Sequence, residues 1–104
     1  MRKYLMIVAA AGLVAGGAQA ATKHGRMVGA ELMPMAKVSL ATARATASKA
    51  RPGRITDQEL EREGGGSGLR YSFDIVSRGK TYEVGVDAKT GRVLENKAEG
   101  KNPD

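Results

Sequence analysis

Cysteine and tryptophan are absent from the 104 residues of this chain, and histidine and phenylalanine occur once each. Without a thiol there is no disulfide framework, iron–sulfur cluster, thiolate zinc site, cysteine nucleophile or lipid-modified N-terminal cysteine. One histidine excludes a polyhistidine metal site. The short length excludes two-lobed and barrel scaffolds and leaves room for one small domain. Nucleophilic catalysis needs a base beside the nucleophile and a partner orienting that base. Here the sole histidine, His24, lies in the arm outside the patterned domain, and no serine stands in a nucleophile-elbow pattern. Paired carboxylates occur without a predicted cleft, so the chain reads as a non-enzyme with no cofactor.

Long apolar runs are scarce too. The one present is N-terminal: Arg2 and Lys3, an uncharged apolar run from Tyr4 to Ala15, then Ala18-Gln19-Ala20. That order of a positive region, an apolar region and small residues predicts a signal peptide over residues 1–20, cleaved after Ala20. Gly12, Gly16, Gly17 and Gln19 leave the strongly apolar part short of the roughly 20 residues a membrane span needs, so no stable span is expected. The expected location is periplasmic or secreted.

Residues 21–37 show no clean period and contain two glycines and Pro34, which predicts a linker or mobile arm. Ser39 is a suitable N-cap for a helix whose apolar stripe is Leu40, Ala43, Ala47 and Ala50, with Arg44 and Lys49 facing water. Pro52 and Gly53 end it. Beyond Ile55 the period changes from 3.6 to 2. Leu69, Tyr71, Phe73 and Ile75 alternate with polar residues, as do Tyr82, Val84 and Val86. Arg78-Gly79 between them fits a two-residue hairpin loop, which sets Ile75 opposite Tyr82, Phe73 opposite Val84 and Tyr71 opposite Val86. A first strand over Thr56–Arg62, joined through the loop Glu63-Gly64-Gly65-Gly66-Ser67-Gly68, places Leu60 opposite Tyr71. A fourth strand is expected from about Arg92, after a turn in which Asp87 caps and Gly91 takes positive φ. The predicted fold is α+β, with one N-terminal helix packed on a three- to four-stranded antiparallel meander, a domain over residues 38–98 and a disordered tail over 99–104.

The segments VSLATARATASKARPG, ITDQELERE and LRYSFDIVSRGKTYEVGVDAKTGRVLE, above all VDAKTGRVL at the third turn, resemble a single PepSY domain. That resemblance implies an exported helix-on-sheet module that restrains or assists peptidases, and it brings no catalytic motif.

Charge is unevenly spread. Residues 21–54 carry seven bases and only Glu31, whereas residues 55–104 carry eight bases and ten acids. The bases lack aromatic interleaving and any nucleic-acid motif, so nucleic acid is not an expected partner. In the predicted register one sheet face gathers Asp57, Glu59, Glu61, Asp74 and Glu83, with Arg70 as a rung between Glu61 and Asp87. Such a face suits a basic protein surface better than a metal ion, which wants six to eight oxygens from a shaped loop. No metal site is therefore predicted there. A second reading is a small-ligand or metal-binding envelope protein, with copper held by His24, Met27, Met33 and Met35, since imidazole and thioether suit copper. The expectation is a binding module that inhibits or regulates a peptidase or another envelope protein.

Overall fold

The computed structural model describes residues 27–99. The predicted signal peptide, His24 and residues 100–104 of the predicted tail lie outside the described residues. A 3₁₀ helix (Ala30–Met35) is followed by helix α1 (Leu40–Ala50) and strands β1 (Arg54–Arg62), β2 (Leu69–Ser77), β3 (Lys80–Asp87) and β4 (Val93–Ala98). The strands form one antiparallel meander in chain order. The α+β layout is as expected, but α1 lies mid-chain rather than N-terminal, with the 3₁₀ helix before it.

Ser39 starts α1, its Oγ accepting from the Thr42 amide at 3.1 Å. Leu40, Ala43 and Ala47 are buried on the sheet. Their small side chains let the helix axis come close, so the covered strands must supply the bulk. They do: Tyr71, Phe73, Ile75, Val84 and Val86 have no exposed surface. Each such side chain stabilises by roughly 1.5–3 kcal/mol through burial. Tyr71 and Phe73 stack with centroids 6.2 Å apart. The buried Tyr71 hydroxyl donates to the Val38 carbonyl at 2.7 Å, pinning the helix entrance to the sheet centre. Burial pushes that hydroxyl's pKa up to about 12. Arg44 departs from its expected place in water. It reaches inward and donates to the buried Gln58 side chain at 2.6 Å, and desolvation lowers its pKa.

The β2–β3 register is the one the hairpin loop predicts. Arg78 and Gly79 take φ of 52° and 78°, the mirror-image turn whose twist matches the strands it joins. Leu60 faces Tyr71, as expected for β1, but a bulge at Thr56 was not foreseen. Without it Ile55 would share the outer face with Asp57. The extra residue turns Ile55 inward, opposite Ile75, where it packs against the core. A second bulge, at Leu94, sets Val93 opposite Val86, where Val93 stays exposed.

From Met27 onward, the segment expected to be a mobile arm is built into the fold. Met27 is fully buried in the core, and Val28 bridges Glu59 on the free edge of β1. The Val28 carbonyl accepts from the Leu60 amide at 2.9 Å. Gly29 has φ of 91°, and a Cβ there would overlap the Leu60 carbonyl oxygen, so only glycine lets the chain turn this close. At the other end, the Glu99 amide donates to the Thr81 carbonyl, continuing the ladder by one residue.

Candidate interaction surface

Side chains alternate across a pleated sheet, so the positions opposite α1 follow from the register. Four rows cross this outer face, the outermost being Arg54, Val76 and Thr81. Asp57, Asp74, Glu83 and Lys97 form the second row; Glu59, Ser72, Gly85 and Glu95 the third; Glu61, Arg70 and Asp87 the fourth. All five sequence-predicted residues, Asp57, Glu59, Glu61, Asp74 and Glu83, therefore share one face. Asp57 is exposed, and the other four are half-buried. Glu95 and Glu99 also belong to this cluster, where they raise the pKa values of neighbouring carboxyls. They were missed because the fourth strand has few large apolar residues, although the alternation Glu95, Lys97, Glu99 carries a period-2 signal.

The fourth row differs from its predicted form. Arg70 is not a surface rung between Glu61 and Asp87. Only 6% of it is exposed, and it lies over Gly85, with Nη1 3.1 Å from Glu95 and Nη2 donating to the Gly64 carbonyl at 3.1 Å. Its two expected partners are engaged elsewhere. Glu61 accepts from the Ser72 hydroxyl at 2.8 Å. Asp87 accepts from the amides of Ser67, Lys89 and Thr90 and from the Ser67 hydroxyl. Asp87 is thus the predicted turn cap and also the anchor of the glycine-rich loop, which folds over this end of the face. The opposite end, at Asp57, Asp74 and Glu83, stays open.

These roles divide the carboxylates electrostatically. Burial pushes the Asp87 carboxyl up, but its four hydrogen bonds outweigh that and hold it at about 2. Burial raises Asp74, and repulsion from Glu99, Asp57 and Glu83 takes it further, to about 6. Glu83 is raised by burial and then by Glu95, Glu61, Glu99 and Glu63. Glu61 is raised by burial and by the adjacent Glu59. Among the described residues the bases at this end are Arg54 and Lys97, and the Lys97 ammonium lies 3.4 Å from Glu95, so the carboxylates outnumber the bases there.

Among the described residues, no group of three or more acidic or histidine side chains is placed to hold a metal ion. The methionines of the copper reading are dispersed. Met27 is sealed in the core, Met33 is half-buried beside the Tyr71 hydroxyl at 3.8 Å, and the exposed Met35 accepts from Arg62. No helix among the described residues is long and apolar enough to cross a membrane.

Comparison with known proteins agrees with this architecture at the level of the family. A family model described as the peptidase propeptide and YPEB domain, PepSY, matches residues 37–97. No curated protein and no solved structure matches the chain. The matched stretch takes in α1, the helix-capping Ser39, the two-residue hairpin and the Asp87 turn, and it leaves out the 3₁₀ helix and Met27. The chain belongs to the PepSY family.

Proposed function

We propose that this chain is an exported, non-catalytic PepSY module that binds a peptidase or another envelope protein through the open end of its acidic sheet face and thereby inhibits or regulates it. One observation carries the choice of surface. Asp57, Asp74 and Glu83 stand side by side on three neighbouring strands. Like charges directly opposite one another cost stability. A basic partner surface relieves that repulsion, and it can reach this face without disturbing α1 or the core. Export rests on the order of Arg2-Lys3, the apolar run and Ala18-Gln19-Ala20. Material recovered from the envelope is expected to begin at Ala21 by intact mass.

Glu59→Lys combined with Asp74→Lys tests the surface, using a partner captured from envelope extract on the immobilised domain. The double variant is expected to keep its fold, with a melting temperature equal to or above that of the wild type. Its association rate should fall by about tenfold at low salt, and the wild-type rate should fall as salt rises. An unchanged association rate in the double variant would remove the acidic face from the contact.

A further inference from the structure

The two edges of the sheet are unequal. The β1 edge is capped by Val28. Strand β4 forms the other edge, and no strand among the described residues lies beyond it. Glu99 donates to Thr81, Lys97 stands opposite Glu83, and Glu95 opposite Gly85. In an antiparallel ladder these odd-numbered residues turn their backbone groups toward β3, so the amides and carbonyls of Asn96 and Ala98 point away from the sheet. The Asn96 side chain is held on the inner face, accepting from Arg51 Nε at 3.1 Å and donating to the Ala50 carbonyl at 3.2 Å. The outer face of the same strand reads Glu95, Lys97, Glu99.

We propose that a second copy of this chain pairs antiparallel along β4, about a two-fold axis at Asn96, and joins two four-stranded sheets into one. The strand's own charge pattern selects this occupant and this register. Only residues whose backbone groups face outward can bond across the new edge, so a two-fold register centres on Asn96, on Ala98, or on Lys97 between them. Centred on Asn96, the pairing sets Ala98 opposite the partner's Leu94, at the bulge where the regular strand ends. It sets Glu95 opposite the partner's Lys97, and Lys97 opposite the partner's Glu95. Centred on Lys97 it would set lysine on lysine and Glu95 on the partner's Glu99. Centred on Ala98 it would run past the end of β4. The Lys97 ammonium lies 3.4 Å from its own Glu95 with the side chain 71% exposed, so it is placed to be shared across the edge. A uniformly basic peptide would meet Lys97 there as a like charge. The bulge at Leu94 bends the strand and limits the new ladder to this short stretch, so the dimer is a weak one that forms with concentration. It stands independently of the peptidase reading, and it would lay the two acidic faces side by side.

Sedimentation equilibrium and amide exchange on the purified full chain, its N-terminus read by mass, test this from low to high micromolar concentration. The expected result is a rise in mass toward two copies, with the Asn96 and Ala98 amides slowing by about tenfold or more as it occurs. Ala98→Pro removes an amide that turns away from β3, and it should leave melting unchanged at low concentration while holding the protein as a monomer. Lys97→Glu places glutamate opposite glutamate and should weaken the dimer by about tenfold. A monomer at every concentration with unprotected Asn96 and Ala98 amides overturns the proposal, as does a dimer that Ala98→Pro leaves intact.

Discussion

Phe73 shows how much a single side chain carries in a domain of this size. Its ring is fully buried, stacked beside Tyr71 and set opposite Val84 in the layer that α1 covers. The helix contributes mainly alanines, which cannot move in to fill a void. Phe73→Ala is therefore expected to cost about 3–5 kcal/mol, a large part of the stability of so small a domain. Urea melts measure this, and Phe73→Leu should recover much of the loss because it keeps most of the volume. A loss below about 1 kcal/mol for Phe73→Ala would contradict the burial of the ring. Arg70 teaches the complementary lesson. A long charged side chain is buried on the outer face because Gly85 leaves it a path to Glu95.

Among the elements, the segment from Met27 to Met35 contributes most beyond the family core. It lies outside the matched residues, yet it caps the β1 edge and places a methionine in the core. An uncapped edge strand is a template for unwanted pairing, so this short segment protects as well as stabilises. Gly29→Ala tests its attachment. The alanine would take the left-handed conformation at a cost of roughly 1–2 kcal/mol, and its Cβ would also overlap the backbone of Leu60. The melting temperature should fall by roughly 4–8 °C for each kcal/mol lost, with the Leu60 amide exchanging faster as its bond to Val28 opens. No change in either measurement would mean that the segment is not held against β1.

At the scale of the whole molecule, stability should depend on pH in a way set by two opposed carboxyls. Asp74 has its folded pKa raised to about 6, first by burial and then by Glu99, Asp57 and Glu83. A raised carboxyl contributes stability that is fully present below its unfolded pKa and lost as pH rises through the folded value. Glu61, Glu63 and Glu83 are shifted in the same direction. Asp87 is held at about 2, so its contribution is present above its unfolded value and lost as pH falls through the folded one. Stability is therefore expected to rise from neutral pH to a maximum at about pH 4–5 and to fall below that. Thermal melts across this range check it. Asp74→Asn should raise the melting temperature at neutral pH and flatten the rise on acidification, whereas a melting temperature highest at neutral pH would contradict the crowding of the face.

The amino-acid pattern by itself determined the helix, the hairpin and the acidic face, because each is a local or periodic matter. Ser39 and Pro52 bound the helix, Arg78-Gly79 sets a register, and strict alternation then assigns Asp57, Glu59, Glu61, Asp74 and Glu83 to one side. What only the tertiary structure decided are contacts between residues far apart in the chain, for which no short spacing gives a signal. Met27 enters the core through a turn against Leu60, Ser67 reaches Asp87 twenty residues away, and Arg44 turns inward because Gln58 lies buried beneath it. The two bulges belong to the same class. One extra residue at Thr56 or Leu94 breaks the alternation on which periodic reading depends, and at Thr56 it does so because Ile55 gains more by packing against the core than the ladder loses at the bulge.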